Sequence, residues 1–192
     1  MRIIAGTFRS RPLQTPAGFA TRPTSDRLRE TVFNVLAPRI EGARFLDLYA
    51  GSGAVGMEAL SRGAEHVVFV EGAPAALKVL RANLERLGLK SGFSIQASAV
   101  REVLRRAASG TQGFDVVFLD PPYDAEAEYL TTLGALGSAA SGMLAAGAVV
   151  IAEHRRKARL EDAYGALRRT RLLEQGDAAL SFYSAGEAAA GS

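Results

Sequence analysis

Phe45-Leu-Asp-Leu-Tyr-Ala-Gly-Ser-Gly-Ala-Val-Gly56 decides how the rest of the chain is read. A short apolar run ends at Leu48. Gly51, Gly53 and Gly56 follow at G-x-G-x-x-G spacing, and Val55–Arg62 then has the character of a helix closed by Gly63. Strand, glycine turn and helix in this order form the first unit of a sheet whose ligand lies against the backbone of the turn. The alternative is a tight strand-to-helix turn without a ligand.

The same alternation recurs downstream. His66–Val70, Phe93–Gln96, Val116–Leu119 and Ala148–Ala152 read as strands. Pro74–Leu87, Val100–Ala108, Ala125–Leu136 and Arg159–Leu167 read as helices, the first opened by Pro and ended by Gly88. Nearly continuous apolar strands between helices predict a parallel sheet covered on both faces. Arg169–Leu173 and Ala179–Ser184, around Gly176-Asp177, predict a closing antiparallel hairpin. Upstream, Arg2–Thr7 and Pro12–Thr15 suggest a small hairpin. A helix capped by Thr24 or Ser25 buries Leu28, Val32, Val35 and Leu36 and stops at Pro38. The organisation expected is a basic extension over 1–40, an α/β domain over 41–185 and a disordered tail over 186–192.

Two ligands compete for the glycine turn, a dinucleotide and S-adenosylmethionine. Either would use Glu71, after the second strand, on its ribose hydroxyls. Asp47 separates them, because a carboxylate there repels a pyrophosphate but attracts an ammonium and a sulfonium. Asp47 has a second reading, as an acceptor for loop amides. On balance the pattern favours S-adenosylmethionine.

Asp120-Pro121-Pro122-Tyr123 follows the apolar strand Val116–Leu119 and so falls on the same rim as the glycine turn. Two prolines remove two N–H donors and stiffen the backbone. What is left is a set of acceptors, the Asp120 carboxylate and the Pro121 carbonyl, with an aromatic ring beside them. Such a set fits the exocyclic amine of a nucleobase, with Tyr123 stacking on the base. The plainer reading is a proline-stiffened loop capped by Asp120.

The chain has 192 residues and a formal net charge of +3. Residues 1–30 hold six Arg against two acids, and the remainder is one charge short of neutral. Arg forks pair with phosphates, which suggests nucleic acid; a solvated basic surface is the alternative. The absence of Cys excludes disulfides, thiolate metal sites and cysteine nucleophiles, and with two His no metal site is expected. No secretory signal or membrane-length apolar run is visible, so a soluble cytoplasmic protein is expected.

Asp47-Leu-Tyr-Ala-Gly-Ser-Gly53 together with Asp120-Pro-Pro-Tyr123 resembles the S-adenosylmethionine-dependent amino-methyltransferases. Met1-Arg-Ile-Ile-Ala-Gly6, Arg22-Pro-Thr-Ser-Asp-Arg-Leu-Arg-Glu-Thr-Val-Phe-Asn34 and Gly53-Ala-Val-Gly-Met-Glu-Ala-Leu-Ser-Arg62 narrow the likeness to the RsmD family. That family methylates the N2 amine of a guanine in bacterial 16S ribosomal RNA. The resemblance covers roughly residues 1–153. It implies a Rossmann-like, seven-stranded class I methyltransferase sheet with a small N-terminal extension. It also implies S-adenosylmethionine as cofactor, S-adenosylhomocysteine as product, and 16S rRNA as partner, within the small subunit or an assembly intermediate. A monomer is expected.

By position, Asp47, Gly51, Ser52, Gly53, Glu71, Ser98 and Ala99 should meet the cofactor, and Asp120, Pro121, Pro122 and Tyr123 the guanine. Arg2, Arg9, Arg11, Arg22 and Arg27 should hold RNA, although Arg22 has an alternative place near the cofactor carboxylate. Relatives often carry Phe at the position of Tyr123, and Asp or Asn at that of Ser98. The run His154-Arg-Arg-Lys157 with Arg159 reads first as the solvated approach to a helix, and second as added RNA contacts.

Overall fold

In the computed structural model, residues 1–15, 25–106, 113–122, 126–138 and 142–185 are described. Helix α1 (Asp26–Leu36) leads into β1 (Arg44–Leu48), α2 (Ala54–Ser61), β2 (His66–Val70), α3 (Pro74–Leu87) and β3 (Phe93–Gln96). Then come α4 (Val100–Arg106), β4 (Phe114–Leu119), α5 (Glu126–Leu136) and β5 (Leu144–Arg155). The chain closes with β6 (Ala163–Tyr164), β7 (Leu167–Gln175) and β8 (Ala178–Ala185).

The strands form one sheet in the order β3-β2-β1-β4-β5-β8-β7-β6. Pairing is parallel from β3 to β5 and antiparallel from β5 to β6. The order reverses between β1 and β4, and that switch point is where a ligand crevice opens at the carboxyl ends of the strands. Two apolar cores cover the two faces. One gathers α1, α2 and α3 over Phe45, Val67, Phe69 and Phe118. The other gathers α4 and α5 over Leu46, Leu48, Val70 and Leu119.

The elements end where local chemistry predicts. The Ser25 hydroxyl accepts the Leu28 N–H and caps α1. Pro74 opens α3 and Gly88 closes it. Gly56 lets α2 approach the sheet, since a Cβ there would stand 2.3 Å from the Phe69 ring.

Two expectations need correction. The sheet has eight strands, not seven, because a two-residue strand, β6, pairs along β7. No helix spans 159–167. Instead Tyr164 and Leu167 are buried in the second core, the Ala166 N–H donates to the Gly137 carbonyl, and Leu167 starts β7. The N-terminal hairpin is present: Arg2 bridges Pro12, the Ile3 N–H donates to the Arg11 carbonyl, the Ser10 N–H to the Ile3 carbonyl and the Leu13 N–H to the Met1 carbonyl, and the hairpin docks on α2. Ile4 and Ala5 donate to Glu58, Phe8 donates to the Ser61 hydroxyl, and Thr7 donates to the Ser61 carbonyl. Gly6 permits this docking, as a Cβ there would overlap the Ser61 carbonyl. Ile3, Leu13, Leu28 and Phe33 thus share a core with Phe45 and Met57. Residues 186–192 lie outside the described residues, and no described helix is long and apolar enough to cross a membrane.

Candidate active site

The register of the sheet lines up the rim. Leu48 pairs with Val70 and with Leu119, and Leu119 pairs with Ala152. The next residues along each strand, Glu71, Tyr49, Asp120 and Glu153, therefore stand level across four neighbouring strands. Alternation would send all four toward the face that Asp47 occupies. Tyr49 departs from it. Its φ is 60°, and its ring reaches the opposite side, where the hydroxyl meets Glu128 Oε2 at 2.8 Å and the Thr132 hydroxyl at 2.9 Å. Asp47, Glu71, Asp120 and Glu153 remain as a row of carboxylates.

Their electrostatics follow from burial and mutual repulsion. Asp47 is 2% exposed, and burial raises its carboxyl to about 7, with Glu71 adding to the rise and a bond from the Gly56 N–H opposing it. Asp120 is pushed well above the usual carboxylate range, first by burial, then by Glu153 and Asp47. A cation placed among these groups would relieve both.

Of the two readings of Asp47, the structure shows the loop-amide bond, at 2.9 Å. Glu71 is also engaged: Oε2 accepts the Gly51 N–H at 2.8 Å and Oε1 the Ala73 N–H at 2.7 Å. It still lines a cavity of about 380 Å³ with Tyr49, Gly72, Ala99, Arg101 and Pro122. Gly51 and Gly53 turn with φ of 57° and 78° beside it. Ser52 is nearly buried, and its carbonyl accepts from Asn83. The Ser98 hydroxyl is buried with no hydrogen-bond partner. An orphaned hydroxyl, a bare glycine turn and a row of carboxylates suit a ligand that is polar at one end and cationic at the other.

Pro121 is buried and Pro122 exposed; Tyr123 lies outside the described residues, as does Arg22. Arg2, Arg9, Arg11 and Arg27 are exposed, with Arg2 3.9 Å from Asp26. Arg29, which adds to the N-terminal charge surplus, is fully buried and bonds Asp26 and the Arg2 carbonyl. It is structural and does not face solvent. His154-Arg-Arg-Lys157 is not an approach to a helix: His154 is buried within β5 on the Ser181 hydroxyl, Arg155 is the exposed last residue of that strand, and Arg156 and Lys157 form the exposed turn after it.

Sequence reasoning passed over Glu58, Asn83 and Glu153. Glu58 and Asn83 are polar groups on buried helix faces, between Met57 and Ala59 and between Leu80 and Leu84, and that position was the available signal. Asn83 joins the Gln14 backbone to the Ser52 carbonyl, and so ties the N-terminal segment to the glycine turn.

A mostly parallel sheet in this order, with a glycine turn after β1, an acid after β2 and Asp-Pro-Pro after β4, defines a class I methyltransferase that uses S-adenosylmethionine. The chain belongs to the RsmD family: the family model described as "conserved hypothetical protein 95" matches residues 1–184. It is 38% identical to YlbH of Bacillus subtilis over 95% of this chain and 98% of that one. It is 42% identical to ribosomal RNA small subunit methyltransferase D of Escherichia coli over 123 residues, which span 64% of this chain and 60% of that protein. The solved structure of yhhF from Escherichia coli superposes with a TM-score of 0.84 at 33% identity, covering 96% of this chain and 97% of that one.

Proposed function

We propose that the protein methylates the N2 amine of a guanine in 16S ribosomal RNA, in the small subunit or an assembly intermediate. The observation that carries this reading is the sheet register, which sets Asp120 level with Glu71 on the rim, with Pro121 and Pro122 following and Pro122 lining the cavity that Glu71 also lines. Its similarity to small subunit methyltransferase D supports the choice of RNA.

S-adenosylmethionine, when bound, supplies an electrophilic methyl group and leaves as neutral S-adenosylhomocysteine. The chain's own residues do the rest by position. Asp47 and Glu71 hold the glycine turn and offer negative charge to a cation. The orphaned Ser98 hydroxyl, beside Ala99, takes a polar edge of the adenine. Asp120 accepts one N2 hydrogen and the Pro121 carbonyl the other, which turns the nitrogen lone pair out of conjugation and toward the methyl. Once the N–C bond forms, N2 must shed a proton, and the raised Asp120 carboxyl is the adjacent acceptor. Tyr123 stacks on the base. Residues 1–40 act as an appendage on the domain at 41–185, with Arg2, Arg9, Arg11, Arg22 and Arg27 on RNA phosphates.

The test offers labelled S-adenosylmethionine with unmethylated small subunits, naked 16S RNA and DNA, followed by mass spectrometry of the digested product. N2-methylguanine from RNA supports the reading. Methyladenine, methylcytosine or no transfer overturns it.

A further inference from the structure

A second cavity, of about 530 Å³, opens beside Glu153 at the end of β5, which neighbours β4 on the side away from β1. Its walls are the start of α1 at Ser25, the end of β5 and the β7–β8 turn. Those walls are tied together. The Arg156 N–H donates to the Asp177 carbonyl at 2.8 Å, and the Thr31 hydroxyl on α1 meets Gln175 on β7 at 3.2 Å. The volume falls in the range of sites that enclose a small ligand.

The charges of the lining differ in exposure. Glu153 is 2% exposed, whereas Arg155, Arg156, Lys157 and the acid Asp177 are all exposed. Register puts Glu153 level with Asp120 on the neighbouring strand, about 5 Å away by ordinary strand spacing. One buried carboxylate, with three exposed cations against one exposed acid, matches a nucleotide that enters base first and leaves its phosphate outside.

The neighbouring carboxylate also selects among bases. In guanine the amine at C2 is flanked by N1–H, a donor. In adenine the amine at C6 is flanked by a bare N1, and in cytosine the amine at C4 by a bare N3, both acceptors. An ionised carboxylate accepts hydrogen bonds and donates none. It welcomes the guanine edge and repels the other two.

We infer that this cavity receives the target nucleotide, with Glu153 accepting the guanine N1–H beside the amine held by Asp120, and Arg156 and Lys157 pairing with its phosphate. The inference rests on the proposed guanine-N2 reading and adds the residue that would set its specificity. The repulsion that Glu153 exerts on Asp120 fits it, because two donors arriving on one base edge ease that repulsion.

The test uses small subunits reconstituted with 2-aminopurine in place of the target guanine, once mass spectrometry has located that guanine. 2-Aminopurine keeps the amine at C2 but has a bare N1. Wild-type protein should methylate guanine about tenfold to a hundredfold faster than 2-aminopurine, the worth of one hydrogen bond to a charged group. Glu153→Gln should lose most of its rate on guanine and lose much less on 2-aminopurine, since the Gln amide can donate to the bare N1. Its thermal midpoint and S-adenosylmethionine affinity should stay near wild type. Arg156→Ala with Lys157→Ala should raise KM for the subunit and leave the guanine preference unchanged.

Equal wild-type rates on the two bases, which require no variant to fold, overturn the inference. So does a Glu153→Gln variant that keeps the wild-type preference, or one that loses both substrates equally. If wild-type protein methylates adenine or cytosine, the guanine reading falls first and this inference with it.

Discussion

The backbone N–H of Ile4 donates to Glu58 Oε2 at 2.7 Å. Glu58 is fully buried on α2, the helix that follows the glycine turn, so one carboxylate fastens the N-terminal segment to the cofactor side of the domain. Its other oxygen accepts the Ala5 N–H at 3.0 Å and the Arg62 Nε at 2.8 Å, and Arg29 lies 3.9 Å away. The segment that carries Arg9 and Arg11 is thereby set relative to the rim.

Glu58→Ala should therefore do more than remove one contact. It leaves two backbone donors unsatisfied and the buried Arg29 without its second acid. Breaking a buried pair in this way costs about 3–5 kcal/mol. Urea unfolding should show a loss of that size, and Glu58→Gln a smaller one because an amide oxygen still accepts. A Glu58→Ala variant within about 0.5 kcal/mol of wild type would remove Glu58 from this role.

The raised Asp47 carboxyl gives a pH prediction. Its value of about 7 in the folded chain lies above its ordinary value of 3.8, so folding favours the protonated form. The ligand-free protein should then lose stability as pH rises from about 4 through 7. A sulfonium nearby reverses the sign by favouring the carboxylate. S-adenosylmethionine should gain affinity over neutral S-adenosylhomocysteine between pH 6 and 8, and Asp47→Asn should flatten that gain. Calorimetric titration of both ligands at the two pH values checks this; parallel affinities count against it.

Much of this architecture is legible before any coordinates. Apolar strands alternating with capped helices identify the parallel sheet, and Asp47–Gly56 with Asp120–Pro122 mark its rim. The failures have local causes. The stretch 159–167 has helix-like spacing, but tertiary contacts at Tyr164, Ala166 and Leu167 override it. Arg29 looks like one more surface cation, and only the approach of Glu58 and Asp26 explains its burial. Glu153 could not be singled out, because its importance comes from register with Asp120, and the pairing of β4 with β5 is not written in either segment alone.

Asp120→Asn should separate binding from chemistry. The amide keeps the shape but loses the charge that holds an N2 hydrogen and takes its proton. Single-turnover methyl transfer should fall at least about a hundredfold, the usual scale for removing one aligned polar group from a reacting centre. S-adenosylmethionine affinity should change little, because the glycine turn, Glu71 and Ser98 stay in place. Loss of cofactor binding with undiminished transfer per bound cofactor would contradict the assignment.

Arg9 and Arg11 are exposed and sit on the segment that Glu58 and Ser61 hold against α2. If each neutralises one phosphate of a single-stranded RNA region, each releases about 0.7 of a counterion on binding. Arg9→Ala with Arg11→Ala should lower affinity for small-subunit RNA and reduce the log–log salt slope by about 1.4. S-adenosylmethionine binding should be unaffected, since neither residue lines the cavity that Glu71 and Ala99 line. Filter binding across a salt series measures the slope directly. A slope equal to wild type would assign the N-terminal charge to solubility and remove it from the RNA interface.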